Sequence, residues 1–194
     1  MIAIIKYNGG NVNSVQNALN RLGAKSIITD DFELISKADK VIFPGVGEAS
    51  STMKSLKERG LNKLIPALKQ PVLGICLGMQ LMCKNNEEGN TVGMGIFDIN
   101  VKRFPAKDIV PHMGWNIISG LNSGLFSGVE EESDVYFVHS YYCELSENTT
   151  SVCDYILPFS ASLQKDNFYA MQFHPEKSGK IGSQLLENFL KLKL

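Results

Sequence analysis

The chain opens on an uninterrupted apolar run, "IAIIK" at residues 2–6. That is the pattern of a strand covered on both faces, and it differs from the alternation of a half-exposed one. After the loop "YNGGN", Val12, Val15, Ala18, Leu19 and Leu22 recur at helical spacing, and Gly23 supplies a stop. The alternation then repeats. "SIIT" (26–29) and "KVIFPGVG" (40–47) predict a second and a third strand, the third ending at Pro44. Met53 and Leu56, then Leu61, Leu64, Ile65 and Leu68, give helical faces, and "PVLGIC" a fourth strand. Strands alternating with helices predict a parallel sheet built by right-handed crossovers.

The pattern changes past the middle of the chain. "GIFDINVKRF" (95–104), "WNIIS" (115–119), "DVYFVHSYY" (134–142) and "FYAMQF" (168–173) are strand-like with few helices between them. The parallel core is therefore expected to continue into an antiparallel or mixed region. From Ser178 onward Ile181, Leu185, Leu186, Phe189 and Leu190 trace a closing amphipathic helix. With no internal repeat, low-complexity tract or Pro/Ser-rich linker, residues 1–194 are expected to form a single α/β domain.

Composition narrows the partners. The 194 residues are 44% hydrophobic and 20% charged, as in ordinary globular chains. Basic side chains number 19 against 20 acidic, a net charge of −1, so nothing draws the chain in bulk to nucleic acid or an anionic membrane. No run approaches the roughly 20 apolar residues of a membrane span. The first run is too short for a secretion signal and lacks its basic flank. A cytoplasmic location is expected, with Cys76, Cys83, Cys143 and Cys153 as reduced thiols. The closest pair is seven apart, which is no metal spacing, and neither metal nor cofactor is expected.

Candidate chemistry begins at "GICLG" (74–78), a cysteine framed by glycines where a strand passes into a helix. Gly-x-nucleophile-x-Gly turns project their central side chain above a sheet edge, the glycines relieving crowding. The helix start faces the sulfur, and the amide of Leu77 is placed to bind a developing oxyanion. From these residues alone a buried, inert cysteine is an equal reading for Cys76; Cys83, on the same predicted helix, reads as core. A nucleophilic thiol needs a base. Of three histidines, His112 lies in "VPHMGWN", His139 in "YFVHSYY" and His174 in "MQFHPEKSG". His174 closes an apolar strand, Pro175 ends pairing, and at strand spacing Glu176 faces the way His174 does. Cys76, His174 and Glu176 then form a nucleophile triad if the fold brings them together. "FPGVGEA" (43–49) has glycines around Val46 that permit amides to turn into a pocket, or simply a turn at a strand end.

"PGVG", "GICLGMQ" and "QFHPEKSG", in this order and at these distances, resemble the class I glutamine amidotransferases. "VPHMGWN" with "YFVHSYY" makes the chain similar to the glutaminase subunits of imidazole glycerol phosphate synthases over nearly its whole length. The resemblance implies Cys76 as nucleophile, His174 as general base and acid, and Glu176 as its orienting carboxylate. It places the oxyanion pocket at Leu77, Val46 and Gly47, and L-glutamine against Gln80, Glu88, Ser140 and Tyr141. It implies a (β/α)₈-barrel cyclase partner in a heterodimer that receives the ammonia and makes imidazole glycerol phosphate and the purine by-product AICAR. Asn11 and Trp115 match positions at that interface. Many members carry an acidic residue where this chain has Lys6–Tyr7–Asn8, a charge reversal near the docking side. Two other readings compete: the glutaminase of pyridoxal phosphate synthesis, which "PHMGWN" opposes, and a regulatory subunit that has lost catalysis, which the intact triad residues oppose.

Overall fold

In the computed structural model, which describes residues 1–7 and 11–192, the predicted alternation is present from the first strand. The order is β1 (Ile2–Ile5), α1 (Val12–Arg21), β2 (Ser26–Thr29), α2 (Phe32–Lys37), β3 (Lys40–Gly45), α3 (Ala49–Glu58), α4 (Leu61–Ala67), β4 (Val72–Cys76) and α5 (Leu77–Met82). Every residue of β1 and β4 is buried, as their unbroken apolar runs require. The second half holds β5 (Cys83–Asn86), β6 (Thr91–Val92), β7 (Phe97–Arg103), β8 (His112–Ile118), β9 (Ser133–His139), β10 (Tyr141–Cys143), β11 (Thr149–Tyr155), β12 (Leu157–Lys165), β13 (Phe168–Met171) and α6 (Gly179–Lys191).

Among the described residues the main sheet runs β2-β1-β3-β4-β13-β12-β10-β7-β5-β6, with β11 paired to β12. From β2 to β13 neighbours are parallel; from β13 through β12 and β10 to β7 they are antiparallel. This is the mixed, mostly parallel core with an antiparallel extension that the pattern predicts. β8 and β9 stand apart as an antiparallel ribbon. Strand alternation splits the core in two: Ala3, Ile5, Val41 and Phe43 pack with α3 and α4, while Ile4, Ile42, Leu73 and Ile75 pack with α1, α6 and the ribbon. Among the described residues no helix is long and apolar enough to cross a membrane.

The structure corrects several expectations. β3 runs past Pro44 to Gly45, because Pro44 and Gly45 continue the parallel register with Ile75 and Cys76. The segment 134–142 is two strands in two sheets, divided at Ser140. Cys83 is not on the helix of Cys76: α5 stops at Met82, and Cys83 opens β5, buried with its Sγ 3.6 Å from that of Cys143. β13 ends at Met171, and Pro175–Lys177 form a 3₁₀ turn, so Glu176 does not meet His174 by strand spacing. Of the charge-reversed block, Lys6 is exposed. Tyr7 is buried, its hydroxyl donating to the Pro44 carbonyl at 2.5 Å. Asn8 lies outside the described residues.

Candidate active site

Close packing makes the elbow at Cys76. A Cβ on Gly78 would lie 2.0 Å from the Phe43 carbonyl oxygen, one on Gly45 2.6 Å from the Gly78 nitrogen, and one on Gly74 2.8 Å from Met82 Sδ. β3, β4 and α5 thus meet at distances only glycine allows. The backbone departure falls on Cys76 itself, at φ 52° and ψ −111°, as the N-cap of α5. That is a left-handed conformation costly to any residue with a side chain. Leu77 follows as the first helical residue, and its N–H belongs to the helix turn that has no intrahelical acceptor.

The end of β3 delivers Val46 and Gly47, the latter at φ 118°. Glu48 caps α3 by accepting from the Ser50 and Ser51 amides at 2.9 and 2.8 Å; these bonds, Ser51's first, hold its carboxyl down at about 2. Glu88 reaches the same helix start and accepts from the Ala49 amide at 2.8 Å. Burial raises its pKa, and the Ala49 bond opposes that.

His174 is held by a turn stapled to the ribbon: its N–H donates to the Tyr136 carbonyl at 2.9 Å, Ser178 Oγ donates to the His174 carbonyl at 2.7 Å, and Tyr136 N–H donates to Ser178 Oγ at 2.9 Å. The 3₁₀ turn then brings Glu176 Oε1 to 2.8 Å from His174 Nδ1, both side chains 1% exposed. Burial alone would lower the imidazole pKa; interaction with Cys76, then with Glu176, outweighs it and carries the pKa to about 10. His174 Nε2 is buried, with no hydrogen bond of normal geometry among the described residues.

A cavity of about 330 Å³ gathers Cys76, Leu77, Val46, Gly47, Gln80, Glu88, Ser140, Tyr141 and His174, with Pro111, Val138 and His139 completing its wall. The predicted nucleophile, base, oxyanion and substrate positions therefore share one space. Gln80 enters it with both N–H groups engaged, donating to the Tyr141 carbonyl and to Gln172 Oε1, each at 3.0 Å. Its Oε1 accepts from Asn86 at 3.3 Å. Glu176 lies behind His174, and Asn11 Nδ2 donates to its Oε1 at 3.1 Å. Trp115 does not line this cavity; paired across the ribbon with Tyr136, it is 58% exposed on the outer face between Met113 and Ile117.

Gln172 is the residue the sequence pattern passed over. Fully buried, it donates to Cys76 Sγ at 3.7 Å. A polar side chain set inside the apolar run "YAMQF" is the signal that marks it. His112 and His139 stand out in the sequence only as members of their blocks. Among the described residues no cluster of three or more His, Cys, Asp or Glu side chains is arranged to hold a metal.

A strained cysteine at a strand–helix elbow shares one cavity with a histidine that is paired to a buried carboxylate, the arrangement of a nucleophile triad. The sequence matches the glutamine amidotransferase class-I family over residues 3–192, and the chain belongs to that family. It is 61% identical over 194 residues to the imidazole glycerol phosphate synthase subunit HisH of Bacteroides fragilis (strain YCH46), covering 98% of this chain and 99% of that protein. It is 46% identical over 200 residues to the imidazole glycerol phosphate synthase subunit HisH 2 of Methanococcus maripaludis, covering 98% and 99%. In fold it resembles a solved glutamine amidotransferase, with a TM-score of 0.74 at 18% identity, over 98% of this chain and 97% of that one.

Proposed function

We propose that the chain is the glutaminase subunit of an imidazole glycerol phosphate synthase, a single domain over residues 1–194 working in the cytoplasm. The observation that carries the reading is the meeting, in one cavity, of Cys76 at its strained elbow with His174 and the Glu176 carboxylate behind it. Cys76 gives its proton to His174 Nε2 and, as the thiolate, attacks the side-chain carboxamide carbon of L-glutamine through Sγ. The tetrahedral oxyanion is met by the Leu77 amide and by the backbone at Val46 and Gly47. His174 passes a proton to the departing nitrogen, ammonia leaves, and a thioester joins Sγ to the glutamyl carbon. Water, relieved of a proton by His174, then attacks the thioester carbon, the C–S bond breaks, His174 returns that proton to Cys76 Sγ, and glutamate is freed. Glu176 holds the imidazole by Nδ1, so that Nε2 is the atom that exchanges protons.

Glu88 is suited to the substrate's α-ammonium group, and Ser140 and Tyr141 line the same cavity. Since the donors of Gln80 are already engaged, its contact with glutamine is through Oε1 or through shape. The ammonia goes to a (β/α)₈-barrel cyclase, for ammonia released to water at neutral pH becomes ammonium and loses its nucleophilic lone pair. Outward-facing Trp115 and the 61% identity to a subunit of that synthase support this partner.

The test is glutamine hydrolysis measured with and without the barrel cyclase, for wild type and Cys76→Ser. Hydrolysis is expected to depend on the thiol and to rise with the partner present. Activity at wild-type level in Cys76→Ser would sink the triad assignment.

A further inference from the structure

The two histidines left out of this chemistry touch each other. His112 on β8 stands opposite His139 at the end of β9, with His112 Nδ1 3.0 Å from His139 Nε2. Both are buried among rings. His112 stacks on Tyr155 and Phe137 at centroid distances of 4.0 and 4.7 Å, and His139 lies against Phe159 and Phe104 at 5.1 and 5.3 Å.

Two backbone carbonyls fix every proton in the pair. His139 Nδ1 lies 2.7 Å from the Tyr141 oxygen, and a carbonyl only accepts, so Nδ1 bears the hydrogen. In the neutral ring Nε2 is then an acceptor, and His112 must donate to it from its own Nδ1. That leaves His112 Nε2 as an acceptor, and the outer end agrees independently. Asn116 Nδ2 lies 3.3 Å both from His112 Nε2 and from the Asp154 carbonyl oxygen. Its Oδ1 accepts from the Ile117 amide at 2.8 Å, so the amide orientation is set. Donation runs one way, from Asn116 to His112 to His139 to Tyr141. A further proton on either ring would set two N–H groups head to head.

The inner end lies in the cavity wall. Tyr141 O accepts from Gln80 as well as from His139, Gln80 turns the Gln172 carbonyl toward itself, and Gln172 thereby presents its N–H to Cys76 Sγ. The Ser140–Tyr141 wall is also the point where the chain leaves the β8–β9 ribbon for the main sheet.

We propose that His139 and His112 are positioning residues of the glutamine pocket: neutral imidazoles, each protonated on Nδ1, that hold the Tyr141 carbonyl and through it the Gln80 and Gln172 amides in one orientation. This rests on the glutaminase reading above. The first test is the ¹⁵N spectrum of histidine-labelled full-length protein. Both rings are expected as neutral Nδ1–H tautomers, the form that free histidine in water disfavours; an Nε2–H tautomer on either ring overturns the proposal.

The second test is kinetic, in complex with the barrel cyclase. His139→Leu is expected to raise KM for glutamine about tenfold, the scale of one lost buried hydrogen bond, with a smaller change in kcat. His139→Asn, whose amide nitrogen takes the place of Nδ1, recovers most of that loss. An unchanged KM in His139→Leu, or His139→Asn as impaired as His139→Leu, defeats the positioning role. If His139→Leu does not fold, His139→Asn is compared with His139→Gln, whose nitrogen falls at the Nε2 place; equal KM values have the same force. A wild-type complex that hydrolyses no glutamine overturns the glutaminase reading, and the positioning role with it, a failure separate from a wrong tautomer.

Discussion

Cys76 stores strain at the point where the thiol is presented. Its φ of 52° would suit glycine better, and neighbouring contacts impose it: β3 pairs Gly45 with Cys76 on one side, and α5 begins at once on the other. Positive φ at a residue with a Cβ costs on the order of 1 kcal/mol or more. Cys76→Ala keeps that cost and Cys76→Gly relieves it. The glycine variant is therefore expected to be more stable than the alanine variant by about 1 kcal/mol in denaturant melts, with glutamine hydrolysis lost in both. Equal stabilities would mean that the elbow is unstrained. The sequence identified Cys76, His174 and Glu176 correctly as neighbours, yet Glu176 arrives by a 3₁₀ turn where strand spacing was expected. Pro175 is the cause: it bars further ladder pairing, and its fixed φ starts a helical turn.

At the scale of elements, legibility followed burial pattern. β1 and β4 could be read because both faces are covered and their residues are apolar throughout. The hairpin β11–β12 could not, because its interior is hydroxyl-rich. Ser151, Ser160 and Ser162 are fully buried and satisfy one another or their neighbours: Thr150 with Ser162, Ser151 with Ser162, and Thr149 with Ser160, all at 2.7 Å. Such residues read as loop in any hydropathy pattern, and only tertiary pairing makes them core. β5, "CKNN", is a strand because β7 runs beside it, and α2 is a short helix with Ile35 as its one buried residue. The contact between β3 and α5 gives a direct check on packing. Gly78→Ala places a methyl where the Phe43 carbonyl stands, with no side chain able to yield. It is expected to cost about 1–3 kcal/mol in a chemical melt, the scale of an overpacked interior. An unchanged midpoint would mean that the elbow can open without loss.

Taken whole, the β8–β9 ribbon has two unlike faces, one turned to the buried interior and one carrying the proposed docking surface. Inward, β8 and β9 contribute His112, Phe137 and His139 to the buried interior. Outward, β8 presents Met113, Trp115 and Ile117, exposed to 67, 58 and 43%. Aromatic anchors of this kind carry a large share of interface energy. If the proposed barrel cyclase docks here, Trp115→Ala is expected to weaken that association by about 2 kcal/mol, roughly thirtyfold in Kd by titration calorimetry, with the melting of the free chain nearly unchanged. Unaltered affinity would place the interface elsewhere. Trp115 is also the only tryptophan in the chain. Its indole lies edge-on to Tyr136, 6.1 Å between ring centroids, with more than half its surface in water. Excitation at the long-wavelength edge of the indole band, which the six tyrosines do not absorb, therefore reports from a single known spot in this chain, and a partner lacking tryptophan that covers it would register as a blue shift in emission without any attached dye.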